Sequence, residues 1–439
     1  MTLRLVFLLW AVAWPAYSPA KEATSVQEAH SAFWQFRFDS SADESGGILV
    51  QPNHLYSAAR GFGFEPQISA ASNSSDSPIP SPSGTQSWSF SVRLPEGNYR
   101  VFVRLGASDV DTETTIWAET RRLMLESVST RSGSHSDHQF LVNVRTDRIA
   151  PPPPNAPGGD RVLLNPREAG SLTWDDKLTL EFSGHNPRVR SLRIEPERDA
   201  PTLFLMGDST VTDQPRDPHA SWGQMLPRFL NAHIAVANHA ESGETLKSFI
   251  SGLRLAKVLE CLRSGDYLLV QFGHNDQKTQ WPQTYSDPNY TYPAYLRVVI
   301  AEARRRGAIP ILVTSMHRRR LDDAGKVVDS LGDYPNAVRR VCQDEHVACI
   351  DLHALSKRIY EALGPARVNA AFVDGTHHSN YGAYVLAAVV ADSLRRVDSR
   401  LATLMSIPGG AVDPDHPPDP GHWQIPSRPT PSPQPLTGN

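Results

Sequence analysis

The sequence predicts a three-layer α/β domain preceded by an all-β sandwich, and three observations carry that expectation. From about residue 33 to 197, short runs alternate apolar and polar residues between turns rich in Gly, Pro and Ser. From about Pro201, short apolar runs alternate with helical periodicity over ~200 residues. Polar clusters then stand where those apolar runs end.

The sandwich is expected from strands at 33–38, 88–94, 99–105, 115–118, 121–125, 139–144, 161–164, 177–182 and 189–194. Residues 95–98, Pro-Glu-Gly-Asn, make the turn between the second and third of these. The Ser- and Pro-rich stretch 71–84 reads as a surface loop. Five prolines between 151 and 157 read as a loop inside the sandwich, because further strand candidates follow them.

In the second region, strands are expected at 202–206, 233–237, 267–272, 309–314 and 347–351. Their apolar runs suit strands covered on both faces of a parallel sheet. Helices are expected at 221–231, 253–262, 292–306, 334–345, 352–363 and 381–397. The chain holds 36 prolines, and ten of them lie beyond Ile407, so 401–439 is expected to be a disordered, Pro-rich tail. The expected division is a signal at 1–20, a β-module at 21–197, an α/β domain at 198–400 and that tail.

Hydrophobic residues make up 40% of the 439, enough to bury a core in each region. Lys and Arg number 43 against 47 Asp and Glu, which lacks the basic footprint of a nucleic-acid binder. Residues 1–20 read as an export signal: Arg4, an apolar run at 5–14, then Ser18-Pro19-Ala20 with small residues at −3 and −1 of a cleavage site. The expected location is therefore periplasmic or secreted. No later stretch approaches the ~20 apolar residues of a membrane span. Three cysteines, Cys261, Cys342 and Cys349, do not make a disulfide framework, although Cys342 and Cys349 can pair in an oxidising compartment. The histidines show no HExxH spacing and there is no paired CxxC, so neither a metal nor another cofactor is expected.

Ligands of open α/β sheets bind beyond the carboxyl ends of the strands. There the sequence places Gly207-Asp208-Ser209-Thr210, then 238–243 ending in Gly243, then Gly273-His274-Asn275-Asp276. Asp374-Gly-Thr-His377-His378 stands just before the last helix. Singly, each is an ordinary turn or helix cap. Together they supply what ester hydrolysis needs. Ser209 is a nucleophile that requires a base, His377 can take and return its proton, and Asp374 can orient the imidazole. The N–H groups of Ser209 and Gly243 and the Asn275 amide can hold an oxyanion. His274 reads as a loop-shaping residue and Asp208 as a hydrogen-bonding group under the nucleophile turn.

These four clusters resemble the blocks of the SGNH, or GDSL-type, hydrolase superfamily. The resemblance is strongest to rhamnogalacturonan acetylesterases, through Gly-Asp-Ser-Thr, Lys247-Ser-Phe249, the run 271–278 and the run 374–383. It covers about 200–398 and implies a flavodoxin-like α/β/α fold, with Ser209, Gly243, Asn275, His377 and Asp374 in the roles above. Residues 36–39, 61–64, 94–99 and 178–182 also resemble the galactose-binding-like sandwich that precedes such esterases in bacteria. One departure is Glu244, where members often carry Arg. The resemblance implies removal of O-acetyl groups from rhamnogalacturonan in pectin. Acetylated xylan, another acetylated glycan or a lipid ester are the alternative substrates, and a non-catalytic glycan-binding protein is the remaining class. Candidate substrate contacts are Lys247, Lys278, Trp281 and His378, with Arg254 as a further cation for an acidic polymer. Trp281 also reads as a packed loop indole and His378 as a cleft-wall or surface residue, while 317–320 (His-Arg-Arg-Arg) reads as a solvated turn, with a role facing an acidic polysaccharide as its alternative.

Overall fold

The computed structural model describes residues 33–39, 46–66, 85–408, 410 and 412–425. The expected export signal, the loop at 71–84 and the end of the tail lie outside the described residues. Among the described residues, ten strands precede Pro201: β1 (Trp34–Arg37), β2 (Ile48–Leu49), β3 (Phe62–Phe64), β4 (Thr85–Arg93), β5 (Gly97–Leu105), β6 (Thr112–Ala118), β7 (Arg122–Thr130), β8 (Ser136–Val144), β9 (Lys177–His185) and β10 (Val189–Glu197). They form two five-stranded sheets, ordered β2-β1-β10-β5-β8 and β3-β4-β9-β6-β7. Pairing is antiparallel except between β1 and β2. Along β5 buried and half-buried residues alternate, as period-2 side chains do when one face meets a core. Phe36, Phe90, Val101, Leu180 and Phe182 lie in that core.

The second region carries β11 (Thr202–Gly207), β12 (Ala235–Asn238), β13 (Tyr267–Gln271), β14 (Ile309–Val313) and β15 (Ala348–Ile350). All four pairings are parallel, in the order β12-β11-β13-β14-β15, the flavodoxin-like order. The helices are α1 (Trp222–Met225), α2 (Leu246–Ser251), α3 (Arg254–Cys261), α4 (Thr291–Arg305), α5 (Tyr334–Glu345), α6 (Leu352–Arg367), α7 (Asn380–Leu394) and α8 (Ser399–Leu404). Leu203, Leu205 and Leu269 pack with residues of α1, α6, α7 and α8. Phe204, Met206 and Leu268 pack with residues of α2, α3, α4 and α5 on the opposite face. Alternate residues of one strand thus enter two cores, which is why these strands read as unbroken apolar runs.

Four expectations need correction. Residues 161–164 are not a strand. Arg161 makes a single bridge to Arg148, and the Leu163 N–H goes to the Gly252 carbonyl of the α/β region. The helix expected over 221–231 is one α turn followed by a 3-10 turn at Leu226–Phe229, because Pro227 has no N–H to continue the α ladder. Helix α2, capped by the Thr245 side chain, was not expected. The described residues between 401 and 425 are not a disordered tail. Leu401, Leu404 and Ile425 join the core, and Trp423 packs edge-on to Tyr381 with ring centroids 5.6 Å apart.

The described residues from Trp34 onward belong to one compact unit. Trp117 and Leu123 of the sandwich sit in the same apolar cluster as Leu203, Trp222 and Ile359. Arg122 Nε donates to Asp213 Oδ2 at 2.6 Å, with both side chains only 2% exposed. Lys257 meets Glu96 at 2.6 Å, Arg228 meets Glu126 at 2.8 Å, and the Arg145 guanidinium donates to the Asn238 carbonyl. Buried ion pairs are costly unless well formed, so a loosely tethered module would not carry this set. Among the described residues no helix is long and apolar enough to cross a membrane.

Candidate active site

The parallel sheet delivers the four clusters to one edge. Ser209 follows β11, Gly243 follows β12, Asn275 follows β13, and Asp374 and His377 lie in the loop before α7. His377 Nε2 is 3.0 Å from Ser209 Oγ, and His377 Nδ1 is 2.7 Å from Asp374 Oδ2. A carboxylate only accepts, so Nδ1 carries the imidazole proton and Nε2 turns a lone pair toward the serine. Ser209 and His377 are nearly buried, at 6% and 4% exposure.

The Asp374 carboxylate is bound on both oxygens. Oδ1 accepts the backbone N–H of Thr376 and of His377, each at 2.7 Å. Burial alone raises a carboxyl pKa, but here the hydrogen bond from the His377 ring, those two backbone donors and the imidazole charge outweigh it. They hold Asp374 well below the usual carboxylate range. Arg318 ties this loop to the neighbouring one, donating to Thr376 Oγ1 at 3.2 Å and to the His274 carbonyl at 3.0 Å.

Under Ser209, Asp208 Oδ1 accepts the Thr210 N–H at 2.9 Å and its hydroxyl at 2.7 Å. The His274 ring lies 3.4 Å from Asp208 Oδ2 and 3.0 Å from the Met316 carbonyl, so it braces loops, as expected. Asp276 accepts the N–H groups of Leu246 and Gly273, each at 3.0 Å. Burial, with the Asp208 charge, pushes its carboxyl up to about 8. One Asn275 amide hydrogen goes to the Glu244 carbonyl at 3.1 Å, leaving the other for a ligand. Gly243 is exposed and has φ +83°, the left-handed region that favours glycine.

The expected substrate contacts divide. Trp281 is 42% exposed, and the Lys278 ammonium stands 4.9 Å from its ring centroid. Burial and the Arg318 charge lower the Lys278 pKa. Lys247 donates to the Pro282 carbonyl at 2.8 Å, on the same loop. His378 is not a substrate contact: it is 0% exposed, its Nε2 lies 2.8 Å from Tyr360 Oη, and burial pushes its pKa down to about 3. Nor is Arg254 a cation for substrate. It is 1% exposed and paired with Glu168 and Glu244. Glu244, the family departure, is thereby consumed inside the protein.

Several residues at the site carry no motif. The His219 ring lies edge-on to His377, with centroids 6.0 Å apart. The Gln214 amide donates to the Ser209 carbonyl at 2.7 Å. From the β6–β7 turn, Arg121 donates to the Gln214 and His219 carbonyls at 3.2 and 3.0 Å, and its guanidinium pairs with Asp217. The one available signal was position, since 213–219 directly continues the nucleophile turn. A His317–Asp329–His353 group also brings three potential ligand atoms together. Its two imidazoles face each other at 3.6 Å with planes 35° apart. Both ring nitrogens lie near the same carboxylate oxygen, His353 Nε2 at 3.3 Å and His317 Nδ1 at 3.8 Å from Asp329 Oδ1.

Residues 205–421 match the model of the GDSL-like lipase/acylhydrolase family. The rhamnogalacturonan acetylesterase RhgT of Bacillus subtilis is 38% identical over 212 residues, covering 44% of this chain and 90% of the relative. A probable rhamnogalacturonan acetylesterase of the same organism, YesY, is 34% identical over 202 residues, covering 44% of this chain and 93% of the relative. A third B. subtilis protein, described as the uncharacterized esterase YxiM, is 26% identical over 387 residues. That match covers 85% of this chain and 93% of the relative, and so takes in much of the β-module. With this extent of similarity, and with the flavodoxin-like sheet already in view, the chain belongs to the GDSL-like lipase/acylhydrolase family of carboxylic ester hydrolases.

Proposed function

We propose that this protein is an exported acetylesterase that removes O-acetyl groups from a plant cell-wall polysaccharide, rhamnogalacturonan foremost. The observation that carries the reading is the Ser209–His377–Asp374 relay, with spacings of 3.0 and 2.7 Å. The 38% identity to a rhamnogalacturonan acetylesterase supports the substrate.

In this mechanism Ser209 Oγ attacks the acetyl carbonyl carbon while its proton passes to His377 Nε2. The carbonyl oxygen becomes an oxyanion, held by the N–H groups of Ser209 and Gly243 and by the free Asn275 amide hydrogen. Asp374, kept ionised, stabilises the imidazolium. As the tetrahedral centre collapses, the sugar oxygen leaves with the proton from Nε2, and Ser209 is acetylated. Water, deprotonated by His377, then attacks the acetyl-serine, Ser209 Oγ leaves with the proton from Nε2, and acetate departs. The stretch 1–20 is proposed as the signal that exports the enzyme to such a substrate.

The test is acetate release from a panel of acetylated rhamnogalacturonan, homogalacturonan and xylan, by wild type and Ser209→Ala. Fastest release from rhamnogalacturonan, lost in the variant, is expected. Preference for xylan would reassign the substrate, and activity surviving in Ser209→Ala would remove the nucleophile.

A further inference from the structure

The residues flanking Gly243 are tied to adjacent residues of the β-module, Ser242 directly to Arg167 and Glu244 to Glu168 through Arg254 of α3. Arg167, in the 3-10 turn Pro166–Glu168, donates from Nε to Glu241 Oε1 at 2.7 Å. Its guanidinium also donates to the Ser242 carbonyl oxygen. The next residue, Glu168, pairs with the Arg254 guanidinium, and Arg254 Nε donates to Glu244 Oε1 at 3.2 Å. The loop Glu241–Glu244 is thus gripped before and after the glycine. A Cβ built on Gly243 would stand 3.7 Å from a guanidinium nitrogen of Arg167, so the arginine lies directly against it.

The Ser242 carbonyl and the Gly243 N–H belong to one peptide unit. That unit is planar and trans, so the two groups point in opposite directions. Holding the oxygen on one side therefore sets where the N–H points on the other. A cationic donor on the oxygen also polarises the amide and makes its N–H a stronger donor. We propose that Arg167 is a positioning residue for the hydrolysis: from the β-module it orients and polarises the Ser242–Gly243 peptide, whose N–H holds the oxyanion. The module is then a working part of the active site. This rests on the reading of Gly243 as an oxyanion donor.

The geometry supports positioning over contact with substrate charge. Two of the three guanidinium nitrogens are committed to the loop, and the side chain is 36% exposed, with Glu241 at 14%. Burial and the Glu168 charge push Glu241 up to about 7, against Arg167 and Arg254, which lower it. The loop therefore depends on its arginines to hold a carboxylate there.

The experiment uses the full chain as wild type, Arg167→Ala, Arg167→Lys and Ser209→Ala. Active sites are counted by a fluorophosphonate label, and turnover is measured on p-nitrophenyl acetate and on acetylated rhamnogalacturonan. Losing one oxyanion donor costs ~100–1,000-fold, so misaiming one should lower kcat per labelled site roughly 10–100-fold in Arg167→Ala. The loss should appear on both esters with KM little changed, and Arg167→Lys should recover part of it by keeping one bond. Unchanged kcat per labelled site would overturn the proposal, whether the labelled fraction falls (a folding role) or KM rises on the acidic polymer alone (a substrate contact). Turnover persisting in Ser209→Ala would instead overturn the underlying reading, whatever Arg167→Ala does.

Discussion

Asp374 grips His377 at two points: its Oδ2 lies 2.7 Å from the ring Nδ1, and its Oδ1 accepts the backbone N–H of the same histidine at 2.7 Å. The carboxylate therefore sets both the tautomer and the tilt of the imidazole. In Asp374→Asn an amide NH2 would face Nδ1 or the backbone donors, and the wrong tautomer would be favoured. The expected loss in kcat is about 10⁴-fold on p-nitrophenyl acetate, with an unchanged circular dichroism spectrum. A loss under tenfold would show that Asp374 does not orient the base.

The contact between β-module and α/β region should be worth much of the stability. Arg122 and Asp213 are both 2% exposed, and Asp213 also takes the Asn238 amide at 2.7 Å. Arg122→Ala leaves a buried carboxylate without its cation, which costs about 3–5 kcal/mol. Thermal unfolding should move down by several degrees. An unmoved midpoint would mean that water replaces the guanidinium there.

His378 should make the protein acid-sensitive. Burial, then the His377 and His274 imidazoles, push it down to about 3, whereas an unfolded chain binds that proton near pH ~6.5. The fold favours the neutral ring. Its contribution is therefore present above ~6.5 and lost as pH falls from there toward about 3. His378→Gln keeps a partner for Tyr360 but cannot titrate. Its melting temperature should fall less steeply than that of wild type between pH 7 and 4, and parallel curves would refute the assignment.

Trp281 is expected to act on polymer alone. An exposed indole stacked on a sugar contributes about 0.5–1.5 kcal/mol, so Trp281→Ala should raise KM for acetylated polysaccharide roughly two- to tenfold. Kinetics on p-nitrophenyl acetate should not change. Equal effects on both esters would mean that the indole packs the loop instead.

Helix α7 should tolerate no side chain at Gly382. A Cβ there would stand 2.0 Å from the Ala371 carbonyl oxygen, and the helix starts three residues after His377. Gly382→Ala is expected to destabilise by about 1–3 kcal/mol and to lower activity, because relief of the clash displaces the loop that carries His377. Full activity with an unchanged melting temperature would contradict the packing.

Local pattern was enough for the elements whose cause is local. The five parallel strands follow from apolar runs that fill two cores at once, as Phe204 and Leu205 do on opposite faces. The positions of Ser209, Gly243, Asn275, Asp374 and His377 follow from where those strands end. The helix at 246–251 escaped because its six residues are too few to show a helical period. The packing of 401–425 escaped because Leu401, Leu404, Trp423 and Ile425 are too sparse to show a period. Leu401, Leu404 and Ile425 join a core shared with many other elements, and Trp423 packs on Tyr381 and Tyr384 of α7.

The amino-acid sequence by itself determined the layer order, the sheet edge and the chemical types gathered there. Only the tertiary structure decided which charged residues serve the site and which serve the interior. Arg254 and His378, both candidates for substrate, are buried and already partnered. Arg121 and Arg167, from the other region, reach the loops beside His377 and Gly243. The physical reason is that a long cationic side chain carries no period of its own. Its partner is set by which backbone folds within reach, here a loop 74 or more residues away along the chain.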